Sequence, residues 1–453
     1  MATGRDDMEL EDGNLRPLTP ARRRGVGRGW LGAATAISAL LAGAPALAQE
    51  TESSSEPIMT ASQQAAPPAA DAPVNYIVPD LSPARGAPRP WPSAGFTLRP
   101  SAAILGDWTS FSQDEDSVSQ VGRQKDAYEW RGFRLQVLGS FGGSYRVNYQ
   151  FGGEYKGFDS DPTDNWQLTD MSLTFPVGQN TRIAVGKIKE AFAYEMVGDA
   201  ANLPQSERVL SPFFVSRNTG ARVTHVLGPD KRVNVSYGLA DDGWDVGTST
   251  NRGTDYFARV SGLAWDDAAN GRYLHLGASY RYAAADGSIR YKGRPGSNVA
   301  SNFVDTGEFP ADGARHYGLE GLVSWGGLSL LGEYATASVD SQAKGDPRFS
   351  GWYLTGSWVL TGEARPYDRK VGYARRVVPK SPWGAPELVV RYSDVDLDDG
   401  PVQGGRFTRV DLGVNWWATT RWKFGVDWGR TELDRLGKTG KTDTVLTRIQ
   451  WVY

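Results

Sequence analysis

From about residue 94 to its last residue, Tyr453, the chain repeats one pattern: short runs in which apolar and polar side chains alternate. Phe133, Leu135 and Val137 alternate with Arg134 and Gln136, and Tyr145, Val147, Tyr149 and Phe151 alternate with Arg146, Asn148 and Gln150. Leu274, Leu276, Ala278, Tyr280 and Tyr282 oppose His275, Ser279 and Arg281. Val410, Leu412, Val414 and Trp416 oppose Arg409, Asp411 and Asn415. Successive side chains of a strand point to opposite faces, so each run builds a strand with one apolar and one polar face.

A soluble β-sandwich also alternates, so the connections must choose between architectures. Polar stretches at 112–128, 157–165, 190–217, 241–254 and 287–313 are long, and those at 141–143, 176–180, 228–231, 266–272 and 325–327 are short. Short turns on one side and long loops on the other describe an up-and-down barrel in an outer membrane. The predicted fold is all-β, a transmembrane antiparallel barrel over residues 93–453. It has about 16 strands if 361–385 is one long periplasmic turn. A barrel of that size encloses an aqueous lumen. The last run, Val445, Thr447, Ile449, Trp451 and Tyr453, ends the chain on an aromatic residue, as outer-membrane barrels do. A mean hydropathy of −0.44 excludes a bundle of membrane helices but allows a barrel, in which only every second strand residue meets lipid. The 54 glycines, 16 tryptophans, 19 tyrosines and 16 phenylalanines suit many turns and two aromatic interfaces.

The N-terminus supplies the address. Arg22, Arg23, Arg24 and Arg28 precede an apolar run at 30–43 and then Ala46-Leu47-Ala48. That order reads as a signal peptide over 1–48, cleaved after Ala48. A transmembrane anchor is the competing reading, and the run is too short and Ala-rich for it. Residues 49–92, with Ser, Ala and Pro clusters and no heptads, read as a flexible periplasmic segment. The mature chain carries a net charge near −4, which gives no cue for nucleic acid. The expected location is the Gram-negative outer membrane, with membrane lipid as one partner.

Little reaction chemistry is available. The chain has no cysteine, which removes thiol nucleophiles and thiolate metal sites. His225, His275 and His316 lie in separate strand-like runs and read as wall residues. No catalytic residue, metal or cofactor is expected. Three rivals remain: a barrel enzyme such as a lipase, a structural or adhesive barrel with a closed lumen, and a gated transporter. About 45 residues before the first strand are too few for a transporter's plug.

Rings of charge decide what a pore passes. By strand parity the lumen-facing cations are Arg134, Arg146, Arg182, Arg222, Arg259, Arg281, Arg391, Arg409, Lys423 and Arg448. The lumen-facing acids are Glu154, Asp170, Glu320, Glu333, Glu387, Asp411 and Asp427. The balance slightly favours anions, although each arginine also has a plainer reading as one half of a cross-strand pair. Within 361–385, Arg365, Arg369, Lys370, Arg375, Arg376 and Lys380 outnumber Glu363 and Asp368. Such a turn either concentrates anions at the pore mouth or is simply periplasmic surface, and neutralising it is expected to leave folding intact. The loop at 287–313 adds Arg290, Lys292 and Arg294 beside Tyr291, as a constriction if it folds inward or as exposed loop if it does not.

Several segments resemble one family. GWYLTGSWVLTGEARPY at 351–367, DRKVGYARRVVP after it and APELVVRYSDVDL at 385–397 are similar to the phosphate-selective porin O and P family. VGKIKEAFAYE at 185–195, SERVLSPFFVSRNTG at 206–220 and VDLGVNWW at 410–417 support the likeness, which covers roughly 96–453. The resemblance implies a sixteen-stranded trimeric channel for small anions such as phosphate, with basic residues lining a pore into which loops fold. The best-described members carry a periplasmic coiled coil before the barrel, for which this chain shows no heptads.

Overall fold

A computed structural model describes residues 91–93, 95–142, 146–155, 166–241 and 253–453. The expected signal peptide, the periplasmic segment up to residue 90 and most of the loops at 157–165 and 241–254 lie outside the described residues. Sixteen long strands form the wall: β1 (Phe96–Gln113), β2 (Ala127–Phe141), β3 (Val147–Tyr155), β4 (Trp166–Val177), β5 (Thr181–Ile188), β6 (Asn218–Leu227), β7 (Val233–Asp241) and β8 (Thr254–Asp267). They continue as β9 (Arg272–Ala284), β10 (Gly313–Trp325), β11 (Leu328–Asp340), β12 (Arg348–Val359), β13 (Ala385–Asp399), β14 (Val402–Trp417), β15 (Trp422–Arg435) and β16 (Lys438–Val452). Every neighbour is antiparallel, and β1 pairs with both β2 and β16, which closes the barrel and leaves no free edge. A three-residue strand, Trp91–Ser93, pairs with the start of β1.

The parity read from the sequence is the parity of the wall. Leu319, Phe151, Val414, Val260, Leu276 and Leu412 are exposed at 50–60% on the outer face, where lipid replaces water. Aromatics bound this apolar band at both ends: Trp265, Trp325, Trp358, Trp416 and Trp422 at the periplasmic side, and Tyr256, Tyr317, Trp352 and Tyr392 at the other. Their amphipathic rings suit the headgroup level.

The alternation of long and short connections holds up to Trp325 and then fails. The extracellular connections at 341–347, 400–401 and 436–437 are short, because Gly400 (φ 53°), Leu436 (φ 57°) and Gly437 (φ 73°) reverse the last two hairpins in the left-handed region. The long connection between β12 and β13, residues 360–384, is periplasmic as expected.

Three segments fold into the lumen and pack on one another: 189–217, 285–312 and 360–384. Phe192, Tyr194, Leu203, Leu210, Phe213, Ile289, Tyr291, Phe303, Val371 and Tyr373 form an apolar core inside the barrel. That core rests on inward wall residues of β8–β15, among them Leu263, Tyr273, Leu331, Phe349, Tyr353, Phe407 and Leu433. The lumen is therefore filled along β8–β15.

Candidate functional site

The segment 189–217 starts where β5 ends. Ala193, at φ 62°, turns the chain inward, and one helical turn, α1 (Tyr194–Val197), follows. The Glu333 carboxylate on β11 accepts the backbone N–H groups of Tyr194 and Glu195, which satisfies donors that a helix start leaves open. Asp199 Oδ1 accepts from Ala201 N at 3.2 Å and starts the next turn. The chain then crosses the lumen and presents its carbonyls outward. Those of Ala201, Asn202, Leu203, Pro204, Ser206 and Glu207 accept from Gln450, Arg365, Lys423, Asn415, Arg448 and Arg391 respectively. The Glu195 carboxylate closes the loop by accepting from Val209 N at 3.1 Å and Leu210 N at 3.0 Å.

This crossing changes what the lumen arginines do. Arg391 binds Asp411 (2.9 Å) and the Glu207 carbonyl (2.7 Å), and Arg448 binds Asp107 and Glu207, so both anchor the loop. Arg409 is held by Asp411 (2.6 Å), Thr431 (2.8 Å) and Thr444 (2.7 Å). Arg259 pairs with Glu320 and donates to the carbonyls of Val371 and Gly372. Arg281 bridges Glu190 and Asp255. Arg222 donates to Lys189 O at 2.7 Å, and Arg182 to Lys370 O at 2.8 Å. Arg134, paired with Glu154 at 3.1 Å, keeps a face toward open lumen. Arg146 departs from its expected place: it is exposed in the turn before β3, where strand parity no longer applies.

The basic turn is neither a solvated mouth nor plain surface. Arg365 is buried between Glu387 and Asn202 O, with its guanidinium 5.5 Å from the Trp417 ring. Arg375 pairs with Asp368, and buried Arg376 is lowered by desolvation to about 10. Arg369 stays at the rim on Asp230 O and Asp266. Gly372, at φ 76°, passes so close to the wall that a Cβ there would lie 2.4 Å from Ser261 Oγ. The expectation that this turn can be neutralised without harm to folding is thereby corrected, because its arginines are internal ties.

What remains open is a cavity of about 980 Å³ between the wall of β1–β5 and the crossing loop. Its basic residues are Arg131, Arg134, Lys187, Lys189, Arg208, Arg217, Arg281, Arg290, Lys292 and Arg294, against Glu154, Asp199 and Glu207. The 287–313 loop contributes Arg290, Lys292 and Arg294, with Tyr291 Oη 3.0 Å from His316 Nε2. Lys189 Nζ donates to Met196 O (3.0 Å) and Gly198 O (3.2 Å), and Arg208 donates to Glu195 O and Gly198 O. Burial drives the Lys189 amine well below the usual lysine range and brings Arg208 to about 10. Glu207 is opposed by Arg131 and Arg448: burial would raise its carboxyl, and the two guanidiniums hold it at about 2.

Parity alone misses Arg131. Leu105 pairs with Gly132 and Gly106 with Trp130, so Arg131 is the extra residue of a bulge that turns it from the lipid face to Glu207. Lys189, Arg208 and Arg217 also escape a charge count, because the acids Glu190, Glu195, Asp199 and Glu207 in the same stretch cancel them. Among the described residues no cluster of His, Asp and Glu has the arrangement of a metal site. His225 contacts Thr181, His275 contacts Glu320 and Tyr367, and His316 contacts Tyr291.

The comparisons with known proteins agree with this architecture. The family profile described as phosphate-selective porin O and P matches residues 105–453. Porin O of Pseudomonas aeruginosa is 27% identical over 407 residues, which cover 79% of this chain and 89% of that protein. Among solved structures, an anion-selective porin from Comamonas acidovorans superposes with a TM-score of 0.51 at 12% identity, over 79% of this chain and all of that one. The outer-membrane channel DcaP of Acinetobacter baumannii gives 0.51 at 12% identity, over 80% of this chain and 99% of that one. At such identities these two establish the fold alone. The closed barrel, its outward apolar band and the profile match over most of the chain together place this protein in the phosphate-selective porin O and P family of the Gram-negative outer membrane.

Proposed function

We propose that this barrel passes small anions by diffusion along the β1–β5 side of its lumen, phosphate among them, with no reaction chemistry of its own. The observation that carries the reading is the cavity lining, in which ten cationic side chains face three carboxylates. Fixed charge on a wall less polarisable than water acts across the whole lumen and raises the local concentration of counter-ions. Arg134 and the loop cations Arg208 and Arg217 are the proposed attracting groups, whereas Arg281 is held by Glu190 and Asp255. Arg182, Arg222, Arg259, Arg391 and Arg409, with Arg365, Arg369, Arg375 and Arg376, act indirectly by holding the inserted segments off this path. The homotrimer expected of the family belongs to the same proposal, and cross-linking in native membranes tests it.

Reversal potentials across planar bilayers in asymmetric KCl test the selectivity. A preference for chloride that weakens at high salt is expected, since exposed charges are screened over about 10 Å at 0.1 M salt. A preference for potassium overturns the anion reading, and no conductance at all favours a closed structural barrel.

A further inference from the structure

The cationic cavity has a second character that inorganic anions do not use. The crossing loop sends Ser211–Phe213 into it as a short 3₁₀ turn with a proline in its first turn, followed by Phe214, Val215 and Ser216. Pro212, Phe214 and Val215 line the cavity and are only half buried, so three apolar side chains stand together inside a polar lumen. Their backbone is fixed from below. Phe213 is buried to 1% exposure, and it and Leu210 approach Gly351 of β12 so closely that a Cβ there would lie 2.9 Å from each. The shelf is therefore held in place by the packing of the crossing loop on β12, with Pro212 setting its start.

The same cavity holds Arg131, Arg134 and Arg217. Each of these guanidiniums already has a carboxylate partner, namely Glu207 at 2.7 Å, Glu154 at 3.1 Å and Asp170 at 3.0 Å. Each guanidinium is oriented by that carboxylate, so it attracts an anion and also offers a flat face against which a ring can lie. An inorganic anion gains nothing from Pro212, Phe214 and Val215, whereas an organic acid removes both its own apolar surface and theirs from water. The volume, about 980 Å³, also suits a solute much larger than a bare phosphate.

We propose that the preferred solutes of this pore are monovalent organic anions with an apolar body, such as aromatic carboxylates, which lay the body on the Pro212, Phe214 and Val215 shelf and the carboxylate toward the arginine wall. The proposal rests on the anion-conducting reading above. The test is block of single-channel chloride current in the wild-type barrel by benzoate, inorganic phosphate and phenyltrimethylammonium. Benzoate is expected to half-block at a concentration at least tenfold below that of phosphate, and phenyltrimethylammonium to block least. Phe214→Ser combined with Val215→Ser should raise the benzoate concentration for half-block at least fivefold and move phosphate less than twofold. Heat-modifiable migration of the variant shows that the barrel has formed, and Val215→Ser alone serves if the double change does not fold. Chloride preference with equal block by benzoate and phosphate, or an unmoved benzoate value in a folded variant, overturns this proposal and leaves the anion reading standing. Potassium preference in the wild type overturns both.

Discussion

Lys189 and Arg208 share one acceptor: both donate to the carbonyl of Gly198, at 3.2 and 3.3 Å, and both bear on the open cavity. Two cations on one carbonyl place positive charge at this loop, offset in part by the nearby Asp199 carboxylate. Burial, the largest influence on each, disfavours the charged amine far more than the guanidinium. Raising the pH should therefore neutralise Lys189 before any ordinary lysine at 10.5, while Arg208 stays charged to about 10. The sign for stability follows from the depressed amine: this group stabilises the fold fully above the unfolded value, and that contribution is lost as pH falls through its folded value. For transport, chloride preference measured by reversal potential should decline at a pH below that at which an ordinary lysine loses its proton. Lys189→Arg should flatten the profile at high preference, since guanidinium keeps its proton. A wild-type profile identical to that of Lys189→Arg would show that Lys189 carries no charge of consequence to the pore.

Glu207 ties the loop to the strands on either side of β1, through Arg131 of β2 and Arg448 of β16. Its carboxyl is held at about 2, below the ordinary 4.5, so this tie contributes stability above pH 4.5 and loses it as pH falls through about 2. Single-channel current should stay quiet down to about pH 4 and become noisy as pH nears 2. Glu207→Gln should bring that noise to neutral pH and cost about 2 kcal/mol, because Arg448 keeps Asp107 while Arg131 loses its carboxylate. A quiet Glu207→Gln channel at pH 7 would place the loop's stability elsewhere.

Arg365 is expected to be structural. It is 5% exposed and its partner Glu387 is fully buried, so Arg365→Gln leaves a buried carboxylate short of its counter-charge. The cost should be about 3–5 kcal/mol, read as a lower urea midpoint of the folded barrel in detergent or lipid. Arg369→Gln, at the rim, should cost less than about 1 kcal/mol. Equal small effects at both positions would mean that the turn does not dock in the lumen as described.

Parity along β4 can be tested on two adjacent residues. Leu173 points outward, 37% exposed, and Ser172 points into the lumen. Leu173→Arg should destabilise the barrel by about 2–4 kcal/mol as for a cation near the bilayer midplane, whereas Ser172→Arg should fold and strengthen chloride preference. Comparable stability losses at both positions would contradict the register of β4 against β3 and β5.

Much of the wall was legible because its cause is local. An alternation of period two sorts Leu276 from His275 and Leu412 from Asp411 wherever a strand separates lipid from lumen, and the connections then order the strands into a barrel. Parity fails at Arg131, where one unpaired residue opposite Leu105 and Gly106 reverses the direction of the side chain. It also fails at Arg146, which belongs to a turn. A bulge is settled by pairing across two strands, and neither strand declares it alone.

The lumen was not legible in the same way. A charge count leaves open whether Arg391, Arg448 and Arg365 face the solute, and in the structure each spends donors on a carbonyl of the crossing loop, at Glu207, Ser206 and Asn202. Backbone carbonyls are present at every residue and carry no sequence signal, so which of them lies within reach of an arginine depends on where residues 189–217 and 360–384 fold. The sequence by itself determined the barrel, its two faces and the excess of cations inside it, because those follow from the order of side chains along each strand. Only the tertiary structure decided which cations remain beside an open path, because a buried charge must find acceptors and the inserted segments supply them from positions up to 242 residues away in the chain, as between Ser206 and Arg448.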